Sequence, residues 1–319
     1  MGKKIGILAS GGDAPGMNCA MIGAIRAGYK LGMEMYVIRH GYKGLVEGEI
    51  EKVDRDFAKY SASLGGTVIK TARLPEFKQP EVQKIAINNL KKLGIDALIV
   101  IGGDGSYMGA KKLSEQGINC IGLPGTIDND ISSTDYAIGF DTALNNVIHA
   151  IDDINDTLSS LGRCGVIEVM GNKCGDLTLF AGIATHADFI VTGDHQTSED
   201  DIIKQLKELK KTNPDHVTIL VSEKLLDTAS FAKRIEKETG FETRLQVLGY
   251  IQRGGRPSAM ERFNSTRMGA YAVQLLNENI GGVCIGIVNN KLHYQDIYEA
   301  LSTPRDQHPE LYDTFDLIK

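Results

Sequence analysis

The sequence predicts an α/β fold of two lobes, each a mainly parallel sheet flanked by helices. Three observations carry this. Short runs rich in Ile, Val and Leu alternate with longer amphipathic stretches, the pattern of a parallel sheet buried between helix layers. The chain has 319 residues, 42% of them hydrophobic, more than one small core needs, so two lobes of ordinary size are expected. Glycine-rich segments also follow several apolar runs, where strand-to-helix turns belong.

The expected strands are KIGILA (4–9), EMYVIRH (34–40), DALIVIG (96–102), NCIGLP (119–124), GVIEVMG (165–171), DFIVTG (188–193), HVTILVSE (216–223) and GGVCIGIV (281–288). Helices fill the intervals. In SEDDIIKQLKELKKTN, Ser198 stands at the cap position, acids fill the first turn and lysines the last. Ile202, Ile203, Leu206 and Leu209 form one apolar stripe, to which no function is assigned. No repeat or low-complexity linker interrupts the pattern, so the first domain boundary is expected near Gly139, before a long helix starting around Asp141.

The formal net charge is −6. Lys and Arg lie interspersed among Asp and Glu, so there is no basic field for nucleic acid or an anionic membrane, and a phosphate ligand would need a local basic site. Five cysteines, none in a CxxC pair, suggest neither a disulfide framework nor a zinc site. No apolar run approaches the roughly 20 residues of a membrane span, and MGKKIGILASGG enters a strand without a signal-peptide core. A soluble, cytoplasmic protein is expected.

In open α/β sheets ligands gather beyond the carboxyl ends of strands. SGGDAPGMN (10–18) follows the first strand and precedes a helix, so its backbone N–H groups can converge on a phosphate. It matches neither GxGxxG nor the GxxxxGK[ST] P-loop. GGDGSYMGA (102–110) repeats the arrangement, with Asp104 able to hold Mg²⁺ beside a polyphosphate and Ser106 at the helix start. A capped strand-to-helix turn is the alternative for either loop alone; two in one sheet favour phosphate binding. PGTIDND (124–130) supplies a base and metal-placing carboxylates in Asp128 and Asp130, as phosphoryl transfer requires. The alternative is an Asx turn closing a surface loop, which its place after a buried strand disfavours.

Taken in order, GGDAPGMN, GGDGS, PGTIDND, GFDTA, VMG..CGD and LGYIQRGG resemble the motifs of bacterial ATP-dependent 6-phosphofructokinases over essentially the whole chain. The resemblance implies an ATP-binding lobe of residues 1–139 with 257–303 returning to it, and a fructose 6-phosphate lobe of 140–256 with 304–319. It places Gly12, Arg73, Leu74, Gly103, Gly105 and Ser106 around ATP and Asp104 at Mg²⁺. Asp128 would be the general base for the sugar's 1-hydroxyl, with Thr126, Ile127 and Asp130 beside it. Met170, Gly171, Asn172, Glu223, Tyr250, Ile251, Gln252 and Arg253 would hold the sugar phosphate. Arg163 and Arg244 resemble arginines that reach a neighbouring subunit's site, since planar guanidinium donors grip a phosphate dianion. A homotetramer with shared sites follows.

Pyrophosphate-dependent relatives carry Asp where Gly105 stands and Lys where Gly125 stands, so the two glycines favour ATP. There are departures. Asn172 replaces the arginine of MGR, and Tyr250 the histidine of LGHIQRGG; losing one donor to a transferring phosphoryl group costs roughly 2.7–4 kcal/mol. Lys70 could restore a charge, or be a solvated loop lysine. At the family's effector site Arg26 and Arg55 remain, Asp188 replaces a glutamate, and Ile22, Asn155, Thr212, Pro214 and Asp215 stand where bases are common. Gly162, before Arg163, lacks the side chain of the usual switch loop. Two other readings are a non-catalytic sugar-phosphate or nucleotide sensor, and a tagatose 6-phosphate kinase.

Overall fold

The computed structural model describes residues 2–195 and 197–319. It divides into two compact units, Met1–Thr142 with Arg253–Arg305, and Ala143–Gln252 with Asp306–Lys319. The first unit opens with β1 (Lys4–Ala9), α1 (Met17–Lys30), β2 (Glu34–Ile38), α2 (Gly41–Glu47) and β3 (Ile50–Lys52). There follow α3 (Pro80–Leu93), β4 (Ala97–Gly102), α4 (Asp104–Ser114), β5 (Asn119–Thr126) and β6 (Ile138–Gly139). The long α5 (Phe140–Leu161) leads into the second unit, which holds β7 (Cys164–Val169), α6 (Asp176–Ala184), β8 (Phe189–Val191) and α7 (Glu199–Lys210). It continues with β9 (Val217–Ser222), α8 (Thr228–Thr239) and β10 (Thr243–Val247). The chain returns to the first unit as α9 (Ala259–Asn277), β11 (Val283–Val288), β12 (Lys291–Asp296) and α10 (Ile297–Ser302), and ends with α11 (Pro309–Ile318) in the second.

In the first unit the sheet order is β12-β11-β5-β4-β1-β2-β3, with β6 also on β5. Pairing is parallel except at the two edges, where β3 and β12 run antiparallel to their neighbours. In the second the order is β10-β7-β9-β8, all parallel. The carboxyl ends of β5, β4 and β1 are therefore adjacent, as are those of β7 and β9. The apolar runs become these central strands because they are covered on both faces. Leu98, Val100, Leu90, Tyr107 and Leu113 pack into one core, and Val166, Ile219, Ile203, Leu206 and Phe231 into the other.

All eight expected strands form, and α7 forms as expected: Ser198 accepts the N–H of Asp201, three acids occupy the first turn, and Ile202, Ile203 and Leu206 are buried. The edge strands β3, β10 and β12 lacked a sequence signal because they are polar and partly exposed, as edges that resist aggregation are. β5 runs two residues beyond its expected end and carries Gly125 and Thr126 into the sheet. Arg253 opens the returning segment of the first unit. Its guanidinium donates to the Asp13 carbonyl at 3.0 Å and to the Asp13 carboxylate at 3.1 Å. No helix among the described residues is long and apolar enough to cross a membrane.

Candidate active site

Three chain segments leave the first sheet side by side. After β1, Ser10 donates its N–H to the Ile101 carbonyl at 2.9 Å and accepts Ser106 Oγ on its own carbonyl at 3.0 Å. This ties the loop 10–16 to the start of α4. Thr71 Oγ1 donates to the Gly11 carbonyl at 2.9 Å, closing the loop's other side. Ser106 is buried in this role, and Tyr42 donates its hydroxyl to the Ser106 carbonyl at 2.7 Å. The loop's backbone N–H groups and the first turn of α4 thus gather at one end of the sheet, which suits an anionic ligand.

Asp104 opens α4 with its side chain reaching solvent. Shielding by the surrounding loops, and secondarily the negative charge of Asp130, raise its pKa. A carboxylate whose proton affinity is raised by a neighbouring negative charge is relieved by a divalent cation, and Mg²⁺ takes only one or two carboxylates, completing its shell with phosphates and water. Among the described residues no group of three or more His, Cys, Asp or Glu side chains could hold a metal by itself.

After β5, burial alternates: Ile127 and Asn129 are buried, while Thr126, Asp128 and Asp130 reach partly into solvent. Asn129 explains the pattern. It sits at φ 54, its side-chain amide donates to the Asp135 carbonyl at 3.1 Å, and its Oδ1 accepts the N–H of Ala137 at 2.9 Å. One buried asparagine folds the loop back on itself and turns its two acidic neighbours outward. Thr126 Oγ1 accepts the N–H of Asp128 at 3.1 Å, fixing the start of the turn.

In the second unit a cluster forms where β7 and β9 end. Asn172 donates its N–H to Glu223 Oε1 at 2.9 Å, and Met170 donates its own to Gln252 Oε1 at 2.9 Å. Gln252 also donates to the Gly249 carbonyl and is fully buried. Lys224 Nζ reaches Asn172 Oδ1 at 2.9 Å and stands 3.9 Å from Glu223. Arg163 and Arg244 both converge on Glu242, Arg163 at 2.6 Å. The Arg163 hydrogen bond is the main reason the Glu242 pKa is lowered. Arg163 Nε is buried with no hydrogen-bond partner among the described residues.

The sequence-derived residues thus fall into separate groups. Gly12, Gly103, Asp104, Gly105, Ser106, Thr126, Asp128 and Asp130 stand at one sheet end of the first unit. Arg73 is exposed, and Leu74 packs partly against the core. Ile127 and Gln252 are buried, so their side chains hold the backbone, and any ligand contact there falls to main-chain atoms. Tyr250 and Ile251 are 84% and 58% exposed. Arg26 and Arg55 share Asp56, while Asp188 accepts the Thr218 N–H and has its pKa raised by burial. Sequence reasoning gave no role to Asp13, Thr71, Lys224 or Glu242. Asp13 lay inside a quoted motif and Lys224 beside Glu223; Thr71 and Glu242 carried no signal of their own.

Residues 4–276 match the family model described as phosphofructokinase. The chain belongs to the phosphofructokinase family. A curated ATP-dependent 6-phosphofructokinase from Vibrio campbellii is 53% identical over 299 residues, 94% of this chain and 93% of that protein. One from Spiroplasma citri is 50% identical over 317 residues, 99% of this chain and 97% of that one. Among solved structures, Saccharomyces cerevisiae phosphofructokinase superposes with a TM-score of 0.91 at 33% identity. That match covers 98% of this chain, which spans half the length of the yeast chain. A pyrophosphate-dependent phosphofructokinase from Marinobacter aquaeolei shares the fold, with a TM-score of 0.85 at 19% identity over 95% of this chain and 85% of its own.

Proposed function

We propose that the chain is an ATP-dependent 6-phosphofructokinase that transfers the γ-phosphoryl group of ATP to the 1-hydroxyl of D-fructose 6-phosphate, giving fructose 1,6-bisphosphate and ADP. One observation carries the reading: at the ends of three adjacent strands, a glycine-rich loop, the carboxylate of Asp104 and the outward-turned Asp128 and Asp130 stand together. Phosphoryl transfer needs little more than positioning, charge stabilisation and a base.

Asp128 takes the proton of the 1-hydroxyl as that oxygen bonds to the γ-phosphorus and the bond to the departing ADP oxygen breaks. Thr126 holds the turn that presents Asp128. Backbone N–H groups of loop 10–13 and the start of α4 bind the nucleotide phosphates. Mg²⁺ would be held by Asp104 with Asp130 beside it, and when bound it neutralises phosphate charge. In the second unit Glu223, Asn172 and the backbone of Met170 and Gly171 bind the sugar. Arg163 and Arg244, held ready by Glu242, serve a neighbouring subunit's sugar phosphate in a homotetramer.

Two glycines support ATP as donor. A Cβ at Gly105 meets nothing within 4 Å, so the place where pyrophosphate users carry Asp is open. A Cβ at Gly125 would stand 2.9 Å from Met17 Cε and 3.0 Å from the Gly102 nitrogen, leaving no room for a lysine without displacement.

A coupled assay with ATP, Mg²⁺ and either fructose 6-phosphate or tagatose 6-phosphate tests the reading. Turnover with fructose 6-phosphate is expected, with Asp128→Ser lowering kcat by ~10² to 10⁴ while sugar binding persists. No turnover, or an Asp128→Ser enzyme of near wild-type kcat, contradicts it.

A further inference from the structure

Ser258 and Glu261 have the S-x-x-E spacing of a capping box, in which the glutamate folds back to the N–H of the cap residue. Only half of the box forms. Glu261 donates its N–H to Ser258 Oγ at 3.0 Å, but the N–H of Ser258 is taken by Thr142 Oγ1 at 3.2 Å, and the Glu261 carboxyl turns inward. There it accepts Thr142 N–H at 3.4 Å, Thr142 Oγ1 at 3.3 Å and Ser265 Oγ at 3.1 Å, together with the N–H of Gly139. Glu261 is 3% exposed.

The same carboxyl lies against Gly16, the last residue of the glycine-rich loop and the cap of α1. Gly16 has φ 104, and a Cβ on it would stand 2.8 Å from both Glu261 Oε1 and Ser265 Oγ. One side chain therefore joins the start of α9, the turn leading into α5 and the end of the loop after β1. Among the described residues no ion pair to Glu261 forms. Arg262 turns its Nε to the Pro257 carbonyl at 2.8 Å. Asp141 at the start of α5 adds like charge, Asp135 stands on the rim of the adjoining cavity, and Cys19 on α1 has its thiol pushed up to about 11, mainly by burial.

We infer that Glu261 is a positioning residue for the reaction, its carboxylate holding Gly16 and with it the Ser10–Gly16 loop in the shape that receives the nucleotide phosphates. This rests on the proposed reading of that loop. The ionised form is the competent one, because it accepts from all four groups at once, whereas a protonated carboxyl loses one acceptor site and must turn the hydroxyl of Thr142 or Ser265 round to receive its proton. Burial above all, with Asp141 adding to it and the hydrogen bonds opposing it, raises the Glu261 pKa to about 7. A cavity of about 650 Å³, lined in part by Glu261, Asp141 and Asn264, gives water a route to the group. Positioning therefore weakens as pH falls through neutrality.

The test measures ATP and fructose 6-phosphate saturation across about pH 6 to 9 for the full chain, Glu261→Gln and Ser265→Ala. In the wild type, kcat/KM for ATP falls below about pH 7, and kcat/KM for the sugar lacks that inflection. Glu261→Gln raises KM for ATP roughly tenfold, the worth of a hydrogen bond to a charged group, and abolishes the inflection. Ser265→Ala moves the inflection to higher pH, since the carboxylate loses a donor. A Glu261→Gln enzyme that keeps the inflection, or equal losses toward both substrates, overturns the inference. If that variant does not fold, an unmoved inflection in Ser265→Ala does the same. Wild-type turnover of ATP without any inflection overturns the inference alone, whereas no turnover at any pH overturns the functional reading and the inference with it.

Discussion

Lys224 Nζ donates to Asn172 Oδ1 at 2.9 Å, between residues 52 positions apart in the chain. An ammonium is thereby held beside the residue that replaces the arginine of the family's MGR motif. Both residues have left-handed backbone, φ 57 at Asn172 and φ 66 at Lys224. Such conformations persist where the surroundings enforce them.

Lys224→Ala is therefore expected to lower kcat roughly tenfold, less than the ~100-fold or more of a fully preorganised donor, because the lysine side chain is 62% exposed. Asn172→Arg should restore most of the loss in the Lys224→Ala background and change the wild type little. Lys70, exposed on its loop, should tolerate alanine. Steady-state kinetics of the four variants decide this, and a harmless Lys224→Ala would remove the lysine from the site.

Arg163 and Arg244 share one carboxylate, Glu242. Arg163→Ala or Arg244→Ala should raise KM for fructose 6-phosphate by roughly 10- to 100-fold, the worth of one charge-assisted hydrogen bond. KM for ATP should change little. Oligomers mixed from an Asp128→Ser subunit and an Arg163→Ala subunit should regain activity if sites are shared. Equal effects on both substrates, or an active monomer, would contradict the assignment.

Saturation with fructose 6-phosphate should be hyperbolic and nearly unchanged by millimolar ADP or phosphoenolpyruvate. Arg26 and Arg55, which the resemblance assigns to an effector site, pair with Asp56 at 2.9 Å and 3.4 Å. Asp188 lines a cavity of about 790 Å³ in the second unit in which Asp201 and Glu208 offset Lys204 and Lys319. A diphosphate finds no net positive charge there, and an effector that binds both states weakly shifts neither. A sigmoidal curve displaced by either compound would refute this.

Glu261 also sets a pH dependence of stability that is separate from catalysis. Its folded pKa, about 7, lies above the ordinary 4.5. The native state therefore binds the extra proton between these values, and the stability it contributes is complete below about pH 4.5 and lost as pH rises through about 7. The whole shift corresponds to about 3 kcal/mol. Thermal unfolding at several pH values should show this slope in the wild type and a flatter one in Glu261→Gln. Parallel slopes would mean that the group does not titrate there. Folding thus favours the neutral form and positioning the charged one, an opposition expected where stability is given up for function.

By itself the sequence determined what depends on neighbours in the chain. The eight apolar runs announced seven inner strands and the buried edge strand β8, because burial on both faces demands continuous hydrophobicity. The cap of α7 at Ser198 was legible because a capping side chain bonds to an N–H three residues ahead. The loops around Ser10, Asp104 and Asp128 were legible as sites because they directly follow those strands. Topology decided the rest, since it sets which distant segments meet. The polar edges β10 and β12 become strands only because a neighbour offers hydrogen bonds. Arg253 joins Asp13 across 240 residues. Glu261 reads locally as half of a helix cap, yet its carboxyl is claimed by Thr142 and packed against Gly16, because the three segments fold around one buried point where every donor needs an acceptor.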